Sequence, residues 1–448
     1  MNDEQNSVLS ELEEQQIVKA AEMLFVNEFT DGVVGPENEF LGPLRDGGTI
    51  IANTAPGCWG PMLTPTIKGR HEVTKPVYIE GAEVGDSIVV EIESIRVTSS
   101  ATASGVEQYM GERYISDPFL KVKCPGCGKL HPQTNVNGVG PEAIRCATCD
   151  TDTAPMKFAH GYTMAFHPKG KIGVTVGKEG ARKIGNDPEG YLRLPENAEQ
   201  NPVVSMAPSD LVGVVARMRP FIAEIGTVPS KALPASHNAG DSGLLLVDAQ
   251  HELQMTEEEL DMHRTDGHLH LPQVREGAVL ICPVLVKGAG LYLGDIHAMQ
   301  GAGQPAGHAS NVSGIVQVKV SVLKKVKVEG PILLPNEEDL PYLAKPLTKE
   351  ERKQARDIAE EFGMKQLEEA FPISVIGTGI TINAATENAL HRMANLVEAS
   401  MEEVKNRVTL TGGVEIGRFP GLVLVTAQFP KSVLKNARVF KYIKRQYD

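Results

Sequence analysis

Four of the six cysteines fall in two Cys-x-x-Cys pairs, Cys124 with Cys127 and Cys146 with Cys149, which are eighteen residues apart. Each pair can form a tight knuckle, and two knuckles can present four thiolates to one tetrahedral ion. Because four thiolates leave no coordination position open, the spacing predicts a structural zinc that stabilises a small insert. A rubredoxin-like iron site is the alternative, since the sequence does not choose between metals that accept tetrahedral thiolates.

The surroundings of these cysteines argue against a nucleic-acid interface. No aromatic residue that could stack on a base lies between Cys124 and Cys149, and acidic residues dilute the local lysines and arginines. The chain carries 57 acidic against 44 basic side chains, a net charge of −13 that repels a polyanion. We therefore expect a solvated insert and no nucleic-acid partner.

Seven of the twelve histidines lie between positions 237 and 308. Two groups stand out, Asp266-Gly-His-Leu-His270 before a predicted strand and Gly294-Asp-Ile-His-Ala-Met-Gln300 after one. In each group the possible ligands alternate with an apolar residue, so on an extended chain they face the same side and could hold one ion. Three protein ligands and an open position would let bound water lose its proton near neutral pH. The alternative, which an isolated His-x-His would favour, is two unrelated turns whose histidines bond to backbone.

A third polar loop, His237-Asn-Ala-Gly-Asp-Ser-Gly243, is by itself as compatible with an ordinary turn as with a pocket wall. Ser242 lacks the Gly-x-Ser-x-Gly elbow of a serine nucleophile, which disfavours serine catalysis. Cys58 could be a nucleophilic thiol, but without a strand, elbow and helix around it a packed cysteine is the better interpretation. Glu80, Glu83 and Asp86 are candidates for a general base, with solvated turn carboxylates as the alternative.

The elements that position these groups are predicted to be mainly strands. Aromatic residues make up only 5% of the chain, and 44 glycines and 29 prolines separate short Val, Ile and Leu runs. This pattern predicts an α+β, mainly β protein, and a length of 448 residues suggests two or three units. We divide the chain into an N-terminal helical segment (1–40), a β-rich part (41–120), the cysteine insert (121–155), a β-rich core with the histidine loops (156–330) and a C-terminal α/β region (331–448).

Local patterns place the individual elements. Helices are predicted at 7–27, from Thr256 to about Arg264, at 348–371 and at 384–406. Strands are predicted at 203–227, 278–286, 315–328, 407–417 and 421–428, and 77–97 is expected to form strand, turn and strand as a hairpin or a barrel corner. The stretch 171–200 is predicted as an exposed loop and 331–347 as a linker.

The N-terminus is acidic and lacks the basic start and apolar run of a secretory signal. The most apolar later stretch, 277–294, is interrupted by Lys287, Pro283 and internal glycines and cannot be a continuous span of about 20 apolar residues. We therefore expect a cytoplasmic protein without a transmembrane helix, which agrees with cysteines that bind metal and do not form disulfides.

Two stretches resemble the acetamidase/formamidase family. The sequence from Pro76 to Asp86, P-V-Y-I-E-G-A-E-V-G-D, is similar to the family's P-I-Y-V-E-G-A-E-P-G-D. The sequence Gly294-Asp-Ile-His-Ala-Met-Gln-Gly301 is similar to its G-D-x-H-x-x-Q-G. The spacing from Gly267 to Val284 and the region after Gly377 resemble the family more loosely, and together the likeness covers close to half of the chain.

The resemblance implies a β-sandwich or barrel with α/β additions, a homo-oligomer, and metal-dependent hydrolysis of a short non-peptide amide to ammonia and a carboxylate. The ion would be divalent, with Zn2+ as the first choice. Carried onto this sequence, the metal ligands are His270, Asp295 and His297, with His268 beside them, and the proton-transfer group is Glu83. To these we add Asn238 and Asp241 as catalytic residues, and His237 and Gln300 as substrate contacts.

The chain departs from the family pattern at four positions. The family usually has Asp and then Glu where Ala302 and Gln304 stand, and N-x-D where His268-Leu-His270 stands. Since histidine can replace aspartate as a zinc ligand, we still expect the metal site. The loss of two carboxylates changes the charge around the ion, which argues against formamide itself as the substrate. It also motivates the alternative function, a non-catalytic metal-binding or assembly protein on the same fold.

Overall fold

The computed structural model describes residues 20–57, 64–113, 117, 120, 122–140, 142–200 and 211–448. The strands are β1 Ala21–Val26, β2 Val33–Val34, β3 Leu41–Thr54, β4 Val77–Ile79, β5 Ser87–Val97, β6 Ala101–Tyr109, β7 Thr134–Val136, β8 Ile144–Cys146, β9 Met156–Phe166, β10 Ile172–Val176, β11 Val215–Arg217, β12 Phe221–Thr227, β13 Leu233–Pro234, β14 Val279–Pro283, β15 Ala289–His297, β16 Asn311–Val312, β17 Gly314–Leu323, β18 Ile332–Leu334, β19 Ala370–Thr378, β20 Gly413–Arg418 and β21 Leu422–Pro430. The helices are α1 Lys178–Gly185, α2 Pro188–Leu192, α3 Glu257–His263, α4 Lys349–Glu361, α5 Ile382–Val397, α6 Met401–Thr411, α7 Lys431–Asn436 and α8 Phe440–Tyr447.

Strand outweighs helix, 35% against 22%, as the composition predicts. In the described part of the chain, thirteen strands form one mixed sheet with the order β12-β15-β4-β3-β17-β5-β14-β18-β19-β21-β20, and β1 and β16 pair with β3 and β15. A four-stranded sheet, β11-β10-β9-β6, lies outside it. Strand β3 is parallel to both β1 and β4, and the other pairs in the large sheet are antiparallel.

The middle of the large sheet separates two hydrophobic cores. On β5, Val90 enters one core and its neighbour Val89 enters the other, and on β14 Leu280 and Ile281 divide in the same way. This follows from the alternation of side chains along a strand. The second core is completed by α5 and α6, which contact β21. Both faces of the sheet are therefore covered where it lies beneath the C-terminal helices.

Helix starts agree with the sequence better than helix ends. Two helices begin where predicted, and Thr256 and Thr348 each cap one of them through a reciprocal capping box. The predicted helix 348–371 is too long, because α4 ends at Glu361 and β19 begins at Ala370. The predicted helix 384–406 is two helices, broken at Glu398, whose backbone is left-handed with φ of 53°. The predicted strand 407–417 begins late, since its first residues belong to α6.

Three predictions of local structure are wrong. Residues 21–26 form strand β1 and not a helix, because parallel pairing with β3 overrides the local helical spacing; residues 7–19 of that prediction lie outside the described part. The stretch 171–200 is not a loop, since it contains β10, α1 and α2. The stretch 331–347 is not only a linker, since Ile332–Leu334 forms buried β18 between β14 and β19. Three residues are too few to show a strand period.

The stretch 77–97 forms a corner and not a hairpin. It contains a strand, a turn and a strand, as expected, but β4 lies between β3 and β15 while β5 lies between β17 and β14. The turn at 80–86 therefore connects two strands that do not pair with each other.

Antiparallel pairing of β12 with β15 prepares the functional site. Phe221 pairs with His297 and Glu224 pairs with Gly294, so the first half of β12 lies beside the last residues of β15. Every residue of both strands is buried. Polar side chains on these residues must consequently have buried partners that compensate them.

A buried ion cluster connects the C-terminal layer, here represented by β19 and α5, to the segment that follows α3. Asp266 contacts Arg264, which precedes it by two residues, and it lies 2.6 Å from the Arg392 guanidinium on α5. It also accepts a 3.0 Å hydrogen bond from Thr378 at the end of β19. Burial would raise the pKa of Asp266, but the two arginines outweigh it and lower that pKa to about 2. The cluster thus holds an ionised carboxylate at a junction of three elements.

No helix in the described ranges has both the length and the apolar character needed to span a bilayer.

We expect Asp266→Asn to lower the free energy of unfolding by about 3–5 kcal/mol, because it leaves Arg264 and Arg392 buried without their carboxylate. Urea denaturation measures this. Glu387→Gln removes an exposed carboxylate near His391 and Lys405 and is the control, with an expected change within about 0.5 kcal/mol. Similar losses in the two variants would contradict a special role for Asp266.

Candidate metal centre and pocket

Three predicted ligands converge at the end of β15. His270, Asp295 and His297 each offer one ligand atom, and these atoms all lie within 4.8 Å of one another. The Asp295 Oδ2 atom is 3.2 Å from His297 Nε2 and 3.5 Å from His270 Nε2. The predicted fourth member, His268, adjoins the trio through His270, since their Nε2 atoms are 2.6 Å apart. The structure therefore brings together the two sequence groups that alternation marked as possible ligands.

Backbone contacts place the histidine segment against β12. The amides of Leu269 and His270 both donate to the Ala223 carbonyl, at 2.8 and 3.0 Å. His270 and Asp295 have left-handed backbones, with φ of 48° and 46°. This conformation is uncommon for residues other than glycine and costs of the order of 1–3 kcal/mol per residue. The surrounding contacts must maintain this strained conformation, and strained residues of this kind are typical of functional sites.

Burial and charge set the protonation states of the cluster. Burial lowers the pKa of both His268 and His270 well below the ordinary value, so both imidazoles are neutral. Burial would raise the pKa of Asp295, but His297 and His71 outweigh it and hold that pKa well below its ordinary range. The cluster therefore combines two neutral imidazoles, those of His268 and His270, with an ionised carboxylate, the forms that bind a metal.

The trio fits a divalent cation. Tetrahedral ligands at about 2.0–2.1 Å from an ion lie roughly 3.3–3.4 Å apart. The two measured separations from Asp295 Oδ2, 3.2 and 3.5 Å, bracket this value. His270, Asp295 and His297 could thus hold such an ion.

Neighbouring side chains orient the trio. Gln300 Oε1 accepts a hydrogen bond from His297 Nδ1 at 3.0 Å, so Nε2 is the ring nitrogen that faces Asp295, and Gln300 Nε2 donates to the His270 carbonyl at 2.8 Å. Asn311 donates to Asp295, and the Gly57 amide donates to it at 3.1 Å. A Cβ atom at Gly57 would lie 2.2 Å from an Asp295 oxygen, so a larger residue is excluded there. Gln300, expected to contact substrate, is placed as a support for His297.

A histidine and a glutamate beside the trio were missed by sequence reasoning. His71 Nδ1 is 2.9 Å from Glu224 Oε2 and 3.9 Å from Asp295 Oδ2. Burial raises the pKa of Glu224, although His71 opposes the shift. The available signal was a single acid inside the apolar run Phe221-Ile-Ala-Glu-Ile-Gly, since an isolated acid in a buried strand is rare without a partner. His71 lies in a loop whose sequence carries no such signal.

The cluster opens into a cavity of about 300 Å³. Two ion pairs lie in its walls: Arg418 contacts Asp241 at 3.0 and 2.6 Å, and Arg70 contacts Glu107 at 2.5 Å. The lining residues are Arg70, His71, Glu107, Tyr109, Ser236, His237, Asp241, Ser242, Leu245, His268, His270, His297, Gln304, Gly307, Asn311, Arg418, Phe419 and Pro420. The cavity thus combines the histidine cluster with neutralised charges and several apolar side chains.

The other predicted site residues are distributed differently. Asp241 and His237 line the cavity, where Asp241 binds Arg418 and His237 Nε2 is 2.9 Å from Asp117. Asn238 has a structural role, since its Nδ2 donates to the Thr265 hydroxyl and to the Tyr292 hydroxyl, both at 2.8 Å.

Glu83 lies at the other end of the sheet. Its side chain is 54% exposed and 3.8 Å from Lys287. Strand β4, which leads to its turn, pairs with the start of β15 at Ala289, whereas Asp295 lies near the strand's end. At roughly 3.3 Å per residue, these ends are about 20 Å apart. The structure does not bring Glu83 to the histidine cluster.

A larger cavity of about 470 Å³ lies between the two sheets. Its walls carry Arg96, Lys171, Arg193, Arg219 and Arg275, with Glu276 as their one carboxylate. The His, Cys, Asp and Glu groups of the described residues that could hold a metal do not include this wall. The smaller cavity is therefore the candidate active site.

The four cysteines of the insert also come together, as predicted. The Sγ atoms of Cys124 and Cys149 are 3.5 Å apart, and those of Cys127 and Cys146 are 3.8 Å apart. Sulfurs at about 2.3 Å from a tetrahedral ion are about 3.8 Å apart, so the cluster fits such an ion.

Two equivalent turns shape the cysteine knuckles. The Gly128 amide donates to the Cys124 carbonyl at 2.9 Å, and the Asp150 amide donates to the Cys146 carbonyl at 2.8 Å. Gly128 and Asp150 both have left-handed backbones, which turns the chain after each pair. Hydrogen bonds from Thr151 lower the pKa of Cys149 to about 6, which favours its thiolate. Cys282 lies apart in β14, and Cys58 lies outside the described residues.

A buried cluster of imidazoles and a carboxylate, next to a His–Glu pair and open to a cavity, is typical of hydrolytic sites. Residues 58–436 match the sequence model of the Acetamidase/Formamidase family. The chain therefore belongs to this family, and the membership indicates an amide hydrolase. A comparison with curated proteins finds no match.

Solved structures of the family share the fold. A predicted acetamidase/formamidase of Thermoanaerobacter tengcongensis has 16% identity and a TM-score of 0.51, with 93% of this chain and 98% of that chain covered. An acetamidase of Bacillus halodurans has 18% identity and a TM-score of 0.50, covering 93% and 99%. An acetamidase of Yersinia enterocolitica has 16% identity and a TM-score of 0.50, covering 95% and 99%. The predicted fold class is confirmed.

We expect Cys149→Ser to lower the metal content of the purified chain by about one equivalent, because the four-sulfur cluster loses a thiolate ligand. Metal analysis by mass spectrometry measures this. Cys282→Ala removes a buried cysteine outside the cluster and is the control, with unchanged metal content. Equal metal content in Cys149→Ser and the parent protein would contradict the predicted metal site.

Proposed function

We propose that the protein is a metal-dependent amidase that hydrolyses a non-peptide amide to ammonia and a carboxylate. One observation carries the proposal: the ligand atoms of His270, Asp295 and His297 converge with separations suitable for one ion, and His270 and His297 line a cavity. When bound there, a divalent cation, Zn2+ by preference, would polarise the amide carbonyl and acidify water. The chain's own residues would hold the ion, move the proton and stabilise the developing charge.

His71 is the proposed proton carrier. It lines the cavity, and its Nδ1 atom is held by buried Glu224 at 2.9 Å. An imidazole oriented by a carboxylate can take a proton from the attacking water and return it to the leaving nitrogen. A C–O bond then forms, the C–N bond breaks, and ammonia leaves with the transferred proton. Glu224 acts through His71 and is a positioning residue.

Arg418 is the proposed partner of the carbonyl oxygen. Its Nε and one terminal nitrogen are bound by Asp241, which fixes the guanidinium in the cavity wall. The other terminal nitrogen, Nη1, is buried and makes no hydrogen bond in the structure. A fixed donor of this kind stabilises negative charge that develops on oxygen. Asp241, predicted as catalytic, would therefore act by positioning Arg418.

We also propose that the protein forms a homo-oligomer, as the family resemblance implies. Large apolar side chains lie exposed on the C-terminal region, including Tyr342 at 81%, Leu410 at 76% and Phe362 at 72%. Exposed apolar groups of this size favour contact with another protein surface.

We expect His297→Ala to lower ammonium release from simple amides by at least about a hundredfold and to remove the second metal equivalent, because the trio loses a ligand. Ammonium release and metal content are measured on the same preparations. His391→Ala alters an exposed histidine on α5 and is the control, with parental activity expected.

Equal turnover in His297→Ala and the parent would refute the proposed site. Bound metal without ammonium release from any amide would instead favour a non-catalytic metal-binding protein, the function that Ala302 and Gln304 suggest.

We expect Glu224→Gln to lower kcat by about 10²–10⁴, with a smaller change in KM, because His71 loses the carboxylate that stabilises its protonated form. Steady-state kinetics measure the change. Glu83→Gln is the matched control, since this exposed carboxylate lies far from the cluster, and we expect parental kinetics. A large loss in Glu83→Gln with none in Glu224→Gln would restore Glu83 as the proton-transfer group.

A further inference from the structure

We propose that the substrate is a neutral primary amide whose apolar acyl group is larger than acetyl, and that Gln304 binds its amide nitrogen. This inference rests on the proposed amidase function and names the substrate class of the same site. It is carried by the size of the cavity, its apolar wall, the pairing of its charges and one buried acceptor without a partner.

The cavity is too large for the smallest amides. Its volume of about 300 Å³ lies at the lower end of the range that binds drug-sized ligands. Formamide and acetamide have only three and four non-hydrogen atoms. Either would leave most of the cavity to water.

One wall offers an apolar surface for the acyl group. Leu245, Phe419 and Pro420 line the cavity. Leu245 is 39% exposed and Phe419 is 50% exposed. Contact between these side chains and an apolar acyl group favours binding, because it removes both apolar surfaces from water. Each added methylene contributes about fourfold in affinity when fully buried.

The charges in the walls are already paired. Asp241 neutralises Arg418 through two hydrogen bonds. Glu107 contacts Arg70 at 2.5 Å and His308 at 3.3 Å. Because Arg418 Nη1 is assigned to the substrate carbonyl oxygen, a charged acyl group would have to displace one of these contacts, whereas a neutral group would leave them intact. The walls therefore favour neutral substrates.

Gln304 supplies an acceptor for the amide nitrogen. It is 6% exposed, lines the cavity, and its Oε1 atom has no hydrogen-bond partner in the structure. A buried acceptor without a partner is unfavourable, and an incoming N–H group removes that penalty. An ester offers no such group. Gln304 thus favours amides over the corresponding esters.

The acceptor and the apolar wall belong to one local structure. The Phe419 amide donates to the Gly303 carbonyl at 2.9 Å, and Gly303 forms a bridge with Arg418. Gln304 has a left-handed backbone with φ of 43°, so the chain turns at this residue. The contacts that hold the acceptor therefore also hold Arg418 and Phe419, so the polar and apolar parts of the substrate are bound by neighbouring residues.

The test is a series of straight-chain amides from formamide to hexanamide, with succinamate as the charged member, assayed by ammonium release. We expect kcat/KM to rise by up to about fourfold per methylene and succinamate to be poorer than pentanamide. Phe419→Ala should reduce the ratio of hexanamide to acetamide by about tenfold. His391→Ala, which alters an exposed residue on α5 that does not line the cavity, should keep the parental ratio.

Variants at Gln304 test the amide contact. Gln304→Leu should raise KM for hexanamide about tenfold with a smaller change in kcat, and should reduce the ratio of amide to ester hydrolysis. Gln304→Glu keeps an acceptor oxygen and should retain more of that ratio than Gln304→Leu, which a merely structural role would not predict.

The outcomes separate this inference from the proposed function. A series in which formamide or acetamide is best, or parental KM in Gln304→Leu, would overturn the inference and leave the amidase intact. If the metal-loaded protein released no ammonium from any amide of the series, both the inference and the proposed amidase function would be overturned.

Discussion

A carboxylate without exposed surface must be compensated on every side, and Asp295 imposes this condition at the end of β15. Its oxygens lie beside His270 and His297 and accept hydrogen bonds from Asn311 and Gly57. Each partner comes from a different stretch of chain except His297, so the pairing of β12 with β15 and the loops around it must all be in place before the charge can be buried. A cation among the same ligands would complete that compensation.

Two further buried carboxylates near the cluster are compensated in the same way. Glu224 is buried next to the trio and is matched by His71, which lines the cavity. Asp266, two residues before His268, is matched by Arg264 and Arg392. The histidine segment is thereby fixed from one side by the large sheet and from the other by α5. The C-terminal layer thus supports the site although it contributes no ligand to the trio.

The cysteine insert and the histidine cluster differ in ways that follow from their donors. Four sulfurs fill a tetrahedron and leave no place for a substrate, whereas two imidazoles and a carboxylate leave room beside a cavity. The Arg113–Asp152 ion pair, with nitrogen and oxygen 3.0 Å apart, joins the insert to the helical turn Gly111–Arg113 that follows β6. These differences support the proposed roles, structural for the first cluster and catalytic for the second.

The sequence alone determined the parts whose ligands lie close together along the chain. Cys124 to Cys149 and the alternating groups ending at His270 and His297 could be recognised because a knuckle or an extended segment presents neighbouring donors to one point. The family resemblance added the fold and the amidase reaction. Only the tertiary structure decided the partners that approach from a distance: it paired His71 with Glu224, turned Gln300 into a support for His297, and placed Glu83 at the opposite end of β15. The physical reason is that local periodicity states which face a residue occupies, whereas sheet order and register decide what that face meets.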